Sequence, residues 1–202
     1  MVDEKQLADE KAANQEEIEK KKYGFISVAA GEGIRNIFKD LGVDFVIEGG
    51  QTMNPSTQDI IEAVNKVNAD NIFILPNNKN IILAANQAAK IGEKNLVVIP
   101  TKTIPQGISC LTMFNPENEV DANIAEMSEV IESVATGSVT YAVRDTEMDG
   151  IEIKEGNILG LVEGKIKEVG QDCYEVAEKL VPHMVNEDSA LITIFYGNES
   201  DE

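Results

Sequence analysis

The sequence contains no tryptophan, one histidine and two cysteines among its 202 residues, and aromatic residues make up only 5% of the chain. The low aromatic content argues against a surface on which nucleic-acid bases stack. One histidine and two cysteines without CxxC spacing also argue against a zinc site. Cys110 and Cys173 lie far apart in the sequence, and we expect reduced thiols rather than a disulfide.

Basic residues are scarce as well. The chain has 17 Lys and Arg against 36 Asp and Glu, which gives a formal net charge of −19. Nucleic acids and anionic membrane surfaces repel such a protein, so neither is expected as a partner. No apolar run approaches the roughly 20 residues of a membrane span, and the charged N-terminal residues do not resemble a secretory signal peptide. The composition therefore predicts a cytoplasmic protein with a core sufficient for one domain or two small lobes.

Residues 1–22 are rich in Glu, Lys, Ala and Gln and have no apolar face. This composition predicts a charged tail or linker, either a solvated helix or a disordered segment. A coil that binds a partner is the alternative, although the apolar a and d positions of a coiled coil are missing.

From Tyr23 onward, short apolar runs alternate with amphipathic runs. Strands are predicted at 25–30, 43–47, 71–75 and 95–99, with helices at 34–41, 59–68 and 81–91. Continuously apolar strands that alternate with helices are typical of a parallel sheet that is covered on both faces and connected by right-handed crossovers. We therefore predict an α/β fold whose first lobe, residues 23–115, is Rossmann-like.

The second half of the chain has a different pattern. Apolar residues at helical spacing predict a helix at 118–136, and a β-prone run predicts a strand at 137–143. Turn residues then separate short β-prone runs and predict an antiparallel meander. The turns are at 149–150, 155–157 and 163–165, and a helix at 172–184 and a final strand at 190–196 follow. Residues 116–202 are therefore predicted to form a smaller α+β lobe.

A polar loop follows each predicted strand of the first lobe. The most informative loop, residues 49–57, combines two glycines with uncharged hydrogen-bonding side chains, and Ser56 or Thr57 can cap the helix that follows. Helix N-termini favour anions, and Lys102 and Lys79 can offset an anion's charge. Because ligands of open α/β sheets bind at the carboxyl ends of the strands, we expect a binding site at this edge.

The predicted ligand- or partner-binding residues come mainly from these loops. They are Gly49, Gly50, Gln51, Thr52, Asn54, Ser56, Thr57, Asn77, Asn78, Lys79, Thr101, Lys102, Thr103, Gln106, Arg144 and Asp145. For residues 31–33 and 76–78 a simple turn is an equal alternative, whereas the Gln51 and Lys102 loops carry more hydrogen-bonding side chains than a turn requires. Arg144 and Asp145 form a ligand clamp, an interface ion pair or an intramolecular pair that holds the hairpin.

The chain shows no recognisable catalytic machinery. It lacks the GxxxxGK[ST] phosphate loop, and Gly31-Glu32-Gly33 lacks the third glycine of a dinucleotide fingerprint, where Glu32 would also repel a phosphate. His183 is expected to be a surface or packing histidine, and no nucleophile is visibly paired with a base. We therefore predict no catalytic residue and no metal site.

Four segments in order resemble the C-terminal region of the dihydroxyacetone-kinase-like family, which includes the kinase subunit of bacterial fatty acid kinase. The segments are 47–57, 74–80, 98–107 and 140–146. The resemblance runs from about Tyr23 to the end and implies a DegV/dihydroxyacetone-kinase-like fold. It places ATP and magnesium in a separate N-terminal domain, so no cofactor is expected in this chain. It also implies that a DegV-type fatty-acid-binding protein carries the acyl chain whose carboxylate the kinase phosphorylates.

Within this resemblance, the Gln51–Thr57 loop corresponds to the loop that holds the fatty acid carboxylate in DegV-type proteins, and the Lys102 loop corresponds to their second ligand-side loop. Two features depart from the family. Its dihydroxyacetone kinases hold substrate through a histidine, which these loops lack. Its longer members continue beyond Tyr196 to a Gly-Gly-Gln-Pro motif, which is missing here together with the ATP-binding domain. The chain alone is therefore not expected to be a kinase.

Three functions follow from these observations. The first is a non-catalytic domain that docks the acyl-binding subunit or supports dimerisation. The second is a domain that holds a fatty acid or another carboxylate directly in the strand-end loops. Apolar volume behind the loops would favour direct binding, and a filled core would favour docking. The third, a self-contained hydrolase or kinase, has the least support because it needs a nucleophile–base pair or a nucleotide site.

Overall fold

The computed structural model describes residues 20–50, 52–148 and 150–197. The chain forms two compact units that divide after Val134, whereas the sequence pattern predicted a boundary near residue 115. Most of the predicted tail lies outside the described residues. Its last two residues do not belong to a tail, because Lys21 and Lys22 begin the first strand.

The first unit has a parallel four-stranded sheet. Its strands are β1 (Lys21–Ala29), β2 (Phe45–Glu48), β3 (Ala69–Leu75) and β4 (Asn95–Val98). Its helices in the described residues are α1 (Glu32–Asp40), α2 (Thr57–Lys66), α3 (Lys79–Ile91), α4 (Ile104–Met113) and α5 (Val120–Ser133). The strand order is β2-β1-β3-β4, and every pairing is parallel. The predicted parallel sheet is therefore confirmed.

Helix α4 begins inside a stretch that the sequence pattern predicted to be a loop. Thr103 is its N-cap residue, and a proline lies in its first turn. Proline suits this position because the first helical N–H groups have no partner within the helix. Gln106, predicted as a loop residue, consequently lies in the helix.

Both faces of the sheet are covered by helices. One buried cluster joins alternate strand residues such as Ile26 and Ile74 to Ile60 of α2 and Ala85 of α3. A second cluster on the other face joins the remaining strand residues to the helices α1, α4 and α5. Its buried members are Tyr23, Phe25, Ala29, Phe38, Val43, Phe73, Leu75, Ile99, Cys110 and Met127. This two-sided burial explains why the strands are continuously apolar.

The second unit is built on an antiparallel sheet. Its strands are β5 (Gly137–Tyr141), β6 (Thr146–Met148), β7 (Ile151–Ile153), β8 (Ile158–Val162) and β9 (Lys165–Gly170). The main sheet has the order β5-β8-β9, and among the described residues β6 pairs only with β7. The predicted antiparallel strands are therefore confirmed, and the β6–β7 hairpin forms a separate two-stranded sheet.

Three glycines allow a helix to lie close to the main sheet of the second unit. Helix α6 (Cys173–Leu180) is followed by a 3-10 turn at Val181–His183, so Pro182 ends the longer helix that we predicted. A Cβ at Gly160 would lie 2.9 Å from Val176 Cγ1, and one at Gly170 would lie 2.7 Å from Val176 Cγ2. A Cβ at Gly137 would lie 2.5 Å from Met184 Sδ. Larger residues at these positions would displace the helix.

Residues 190–196 do not form the final strand that we predicted. A turn precedes them, in which Ser189 N donates to Asn186 O over 3.1 Å. The apolar side chains of Leu191, Ile192 and Ile194 are 83%, 59% and 79% exposed. Among the described residues no strand pairs with this segment. High β propensity alone does not form a strand, because the backbone needs a partner ladder.

Candidate functional site

The carboxyl edge of the parallel sheet has a point at which the strand order reverses. The chain leaves β1 toward β2 on one side and leaves β3 toward β4 on the other. In open α/β sheets this switch point lies beside the usual ligand crevice. In this chain Asn77, two residues after the end of β3, occupies it and is only 8% exposed.

Asn77 connects three strand ends. Its Nδ2 donates to Ser27 Oγ over 2.8 Å and to the Val28 carbonyl over 2.9 Å, both on β1. Its backbone N–H donates to Thr101 Oγ1 over 2.9 Å, after β4. Thr101 and Ser27 are completely buried. Sequence reasoning missed Ser27, although it is the only polar side chain within the apolar run 25–30.

The switch point is filled by protein. Because the Val28 carbonyl can only accept a hydrogen bond, it fixes the orientation of the Asn77 amide. The Asn77 Oδ1 atom is buried without a hydrogen-bond partner, and a Cβ at Gly107 would lie 2.2 Å from it. Asn77 also has a positive φ of 55°, a conformation that asparagine tolerates better than most residues. Only glycine at position 107 lets α4 approach this side chain.

The Lys102 loop uses most of its polar groups to start α4. The Lys102 backbone N–H donates to Gln106 Oε1 over 2.7 Å, and Gln106 Nε2 donates to the Ile131 carbonyl of α5 over 3.3 Å. The Thr103 hydroxyl accepts from Gln106 N over 3.3 Å. Gln106 is 5% exposed. Lys102 is the one charged residue of this loop, and its side chain is exposed.

The Gly49–Thr57 loop is folded on itself. Gly50 N donates to the Met53 carbonyl over 2.9 Å, and a Cβ at Gly49 would lie 2.9 Å from that same oxygen. Ser56 caps α2 as predicted, and it forms a capping box with Asp59. Hydrogen bonds from the Ser56 hydroxyl and backbone N–H hold the pKa of Asp59 below its usual value. Gln51 lies outside the described residues.

Two further predicted residues have structural contacts. Thr57 Oγ1 donates to Gln87 Oε1 of α3 over 3.1 Å. Asn78 is the N-cap residue of α3, and its side chain accepts from Asn80 N over 2.9 Å. The Asn78 bond satisfies a helix N-terminal N–H group that a ligand would otherwise contact, and the Thr57 bond joins α2 to α3.

Five exposed side chains of the three loops define what we call the loop-edge surface: Thr52, Met53, Asn54, Lys79 and Lys102. Residues 49–57, 76–79 and 100–107 contain no Asp or Glu, and α2, α3 and α4 all begin at this edge. Glu48, directly before the first of these loops, is paired with Arg35. Asp59 balances the N-terminus of α2. The two lysines and the N-termini of α3 and α4, which have no acidic residue in their first turns, give the loop-edge surface a positive character within an acidic protein.

Arg144 and Asp145 belong to the second unit. Asp145 Oδ1 accepts from Glu155 N over 2.7 Å and so connects two turns of that unit. The Arg144 side chain is exposed, and no ion pair joins it to Asp145 in the part of the chain that the structure describes. The sequence left three alternatives for Arg144 and Asp145: a ligand clamp, an interface ion pair or an intramolecular pair. Asp145 fits an intramolecular contact that holds the hairpin, and its partner is the backbone N–H of Glu155.

The remaining candidate groups lie apart from the loop-edge surface. His183 Nε2 lies 2.8 Å from Glu168 Oε1 in the second unit. Cys110 is buried and Cys173 is exposed, and both are free thiols. Within residues 20–50, 52–148 and 150–197, no group of three or more His, Cys, Asp or Glu side chains could hold a metal ion. No helix in these ranges is long and apolar enough to cross a membrane.

Comparison with known proteins identifies the family of this chain. The family model for the C-terminal region of proteins like the A-type subunit of fatty acid kinase matches residues 24–202. The chain belongs to this family. The match confirms the resemblance to fatty acid kinase that the four motifs indicated, and it begins one residue after Tyr23.

Three relatives match most of this chain. The chain is 50% identical over 183 residues to Protein YloV of Bacillus subtilis, covering 91% of this chain and 33% of the relative. It is 45% identical over 192 residues to an uncharacterized protein of Staphylococcus saprophyticus, covering 95% and 35%. It is 44% identical over 177 residues to an uncharacterized protein of Staphylococcus aureus, covering 88% and 32%. The chain thus spans about a third of the length of these relatives.

Proposed function

We propose that this chain is a non-catalytic docking domain of a fatty-acid-kinase-like protein and that its loop-edge surface binds a DegV-type fatty-acid-binding subunit. The observation that carries the proposal is the filled switch point beneath the loops. Asn77, Thr101 and Gln106 are buried and bonded within the chain. A direct binder of fatty acid needs apolar volume there, and Asn77 and α4 occupy that position instead.

The charge of the loop-edge surface suits this role. A fatty-acid-binding subunit presents a carboxylate to the kinase, and an acyl phosphate leaves the reaction with further negative charge. Lys79 and Lys102 would attract this charge while the rest of the acidic chain repels nucleic acid and other polyanions. ATP and magnesium would bind a domain outside this chain, in the cytoplasm. Dimerisation is the alternative role. The positive character of the loop-edge surface favours docking over dimerisation.

Calorimetric titration tests the proposal. The chain is titrated with a purified DegV-type protein loaded with fatty acid and, separately, with oleate alone. We expect saturable heat with the protein and none with oleate. The double variant Lys79→Ala/Lys102→Ala should weaken the affinity at least tenfold, because two interfacial charges are removed.

The matched control is Lys39→Ala/Lys90→Ala, which removes the same charge from the last turns of α1 and α3. This pair should leave the affinity within about twofold of the parent, since exposed charges far from the loop-edge surface contribute little to binding there. Equal losses in both double variants would show a general charge effect and contradict docking at the loop-edge surface. Saturable binding of oleate alone would favour the direct-binding alternative.

A further inference from the structure

An ion pair lies beside the loop-edge surface without belonging to it. Glu48 is the last residue of β2, and it carries the only charge in residues 45–58, which contain β2 and the loop after it. Its carboxylate is paired with the guanidinium of Arg35, the fourth residue of α1. The pair therefore joins the first turn of α1 to the end of β2 at the carboxyl edge of the parallel sheet.

Backbone contacts bring the two residues together. Gly49 N donates to the Ala29 carbonyl over 3.2 Å, which attaches the start of the 49–57 loop to the end of β1. Gly50 lies close to the residue before α1, because a Cβ on Gly50 would be 3.3 Å from Ala30 Cβ. Side chains of a helix point toward its N-terminus. Arg35 therefore extends back toward this junction, where it reaches Glu48.

The contacts of Arg35 indicate what the pair does. In the described part of the chain, the polar contact of its side chain is the one with Glu48. Its Nε atom is buried and has no hydrogen-bond partner there, so the guanidinium uses only part of its donor capacity. The arrangement pairs one positive charge with one negative charge, and its main consequence is that the charge of Glu48 is neutralised.

This neutralisation matters for the loop-edge surface. Lys79 and Lys102 give that surface its positive character, and Glu48 lies directly before the loop that forms the rest of it. Exposed charges influence one another over about 8 Å at physiological ionic strength. An unpaired carboxylate at Glu48 would therefore repel an anionic partner from the 49–57 loop and oppose the attraction by the two lysines.

We propose that Arg35 controls the affinity of the loop-edge surface for an anionic partner by neutralising Glu48. This inference rests on the docking of a DegV-type subunit proposed above. Arg35 is a positioning residue, because it holds the carboxylate of Glu48 and leaves the contact with the partner to the loops. The determinants of docking thus extend from the loops to the first turn of α1.

A double-mutant cycle tests the proposal. Arg35→Leu, Glu48→Gln and the double variant are titrated calorimetrically with a purified DegV-type protein loaded with oleate. At low salt we expect Arg35→Leu to weaken the affinity about three- to fivefold, since it leaves Glu48 unpaired. The double variant should return to within about twofold of the parent, because neither charge remains. In about 0.5 M salt the loss in Arg35→Leu should nearly disappear, since salt screens exposed charges.

Glu48→Gln alone gives a test in which Arg35 stays in place, so that a folding defect in Arg35→Leu cannot decide the outcome. We expect this variant to bind more tightly than the parent at low salt, because Arg35 then adds an unpaired positive charge beside the loop. An affinity that is unchanged or weaker would overturn the proposal.

The matched control is Lys39→Leu, which removes the same charge from the last turn of the same helix. It should stay within about twofold of the parent. A loss in Lys39→Leu as large as that in Arg35→Leu would overturn the proposal, and so would a loss that persists in the double variant, which a structural role of Arg35 predicts. Binding by the parent that does not respond to Arg35→Leu contradicts this inference alone. Absence of binding by the parent contradicts the docking function as well.

Discussion

At the scale of single residues, most of the polar side chains at the carboxyl edge of the parallel sheet form hydrogen bonds within the protein. Asn77, Thr101 and Gln106 were predicted to bind a ligand or partner, and each has protein partners that stabilise the edge. The side chains of Lys79 and Lys102 are exposed at the same edge. Buried polar groups that connect strand ends fix the positions of the loops that carry such lysines.

Gly107→Ala should destabilise the first unit. The new Cβ would lie 2.2 Å from Asn77 Oδ1, and Asn77 cannot move without losing its bonds to β1. We expect the free energy of unfolding to fall by about 1–3 kcal/mol, measured by urea denaturation. The control is Gly33→Ala in helix α1, where a Cβ would meet nothing within 4 Å. A loss of stability in the control as large as that in Gly107→Ala would show that the contact with Asn77 is not the cause.

At the scale of elements, α1 to α4 of the first unit begin at the edge that carries the loops, and local signals decide where three of them start. Ser56, Asn78 and Thr103 are the side-chain caps of α2, α3 and α4. A cap satisfies N–H groups that would otherwise lack a partner. The same residue types are used in ligand loops, so the sequence alone could not distinguish the two roles.

Ser56→Ala should shorten or fray α2 and lower stability by about 1 kcal/mol at neutral pH. Its effect should depend on pH. The folded pKa of Asp59 is depressed by Ser56, so this contribution is present above the unfolded pKa and is lost as the pH falls through the folded value. Urea denaturation at pH 7 and pH 3 checks this. If the free energies of unfolding of parent and variant differ by the same amount at pH 7 and pH 3, the Asp59 carboxylate has no role in the effect.

At the scale of the whole molecule, each of the two units contains one cysteine. Cys110 is buried in the first unit, and Cys173 is exposed in the second. Burial raises the pKa of Cys110 from 9.0 to about 12. The thiolate is the reactive form of cysteine. Cys110 is therefore protected in the native protein because reagents cannot reach it and because it stays protonated.

A thiol reagent at pH 8 should therefore label Cys173 rapidly and Cys110 only when the first unit opens. Urea should increase Cys110 labelling in parallel with the loss of helical signal. The Cys173→Ser variant should show no fast phase, and rapid labelling of Cys110 in that variant would contradict its burial. Stability should also decline between pH 9 and pH 12, since the unfolded thiol ionises first and the folded thiol stays protonated.

The sequence by itself determined much of the first unit. Apolar runs and helical spacing located β1 to β4 and α1 to α3, because periodicity reflects which faces are buried. Four loop motifs identified the family, which the family model confirms. The binding role of the loop residues stays a prediction, because the motifs show the family and not what each side chain contacts. Ser56 as a helix cap was also recognisable, because capping depends on neighbours within three residues.

Tertiary structure decided the features that depend on distant partners. Whether Asn77 faces a ligand or the protein depends on Ser27 and Gly107, which are 50 and 30 residues away in the sequence. Helix α5 lies in the first unit and packs its Met127 into that core, which its own amphipathic pattern does not specify. The segment 190–196 has strand composition without a strand partner in the described residues. Local pattern sets what a segment can form, and long-range packing and hydrogen bonding decide which alternative is stable.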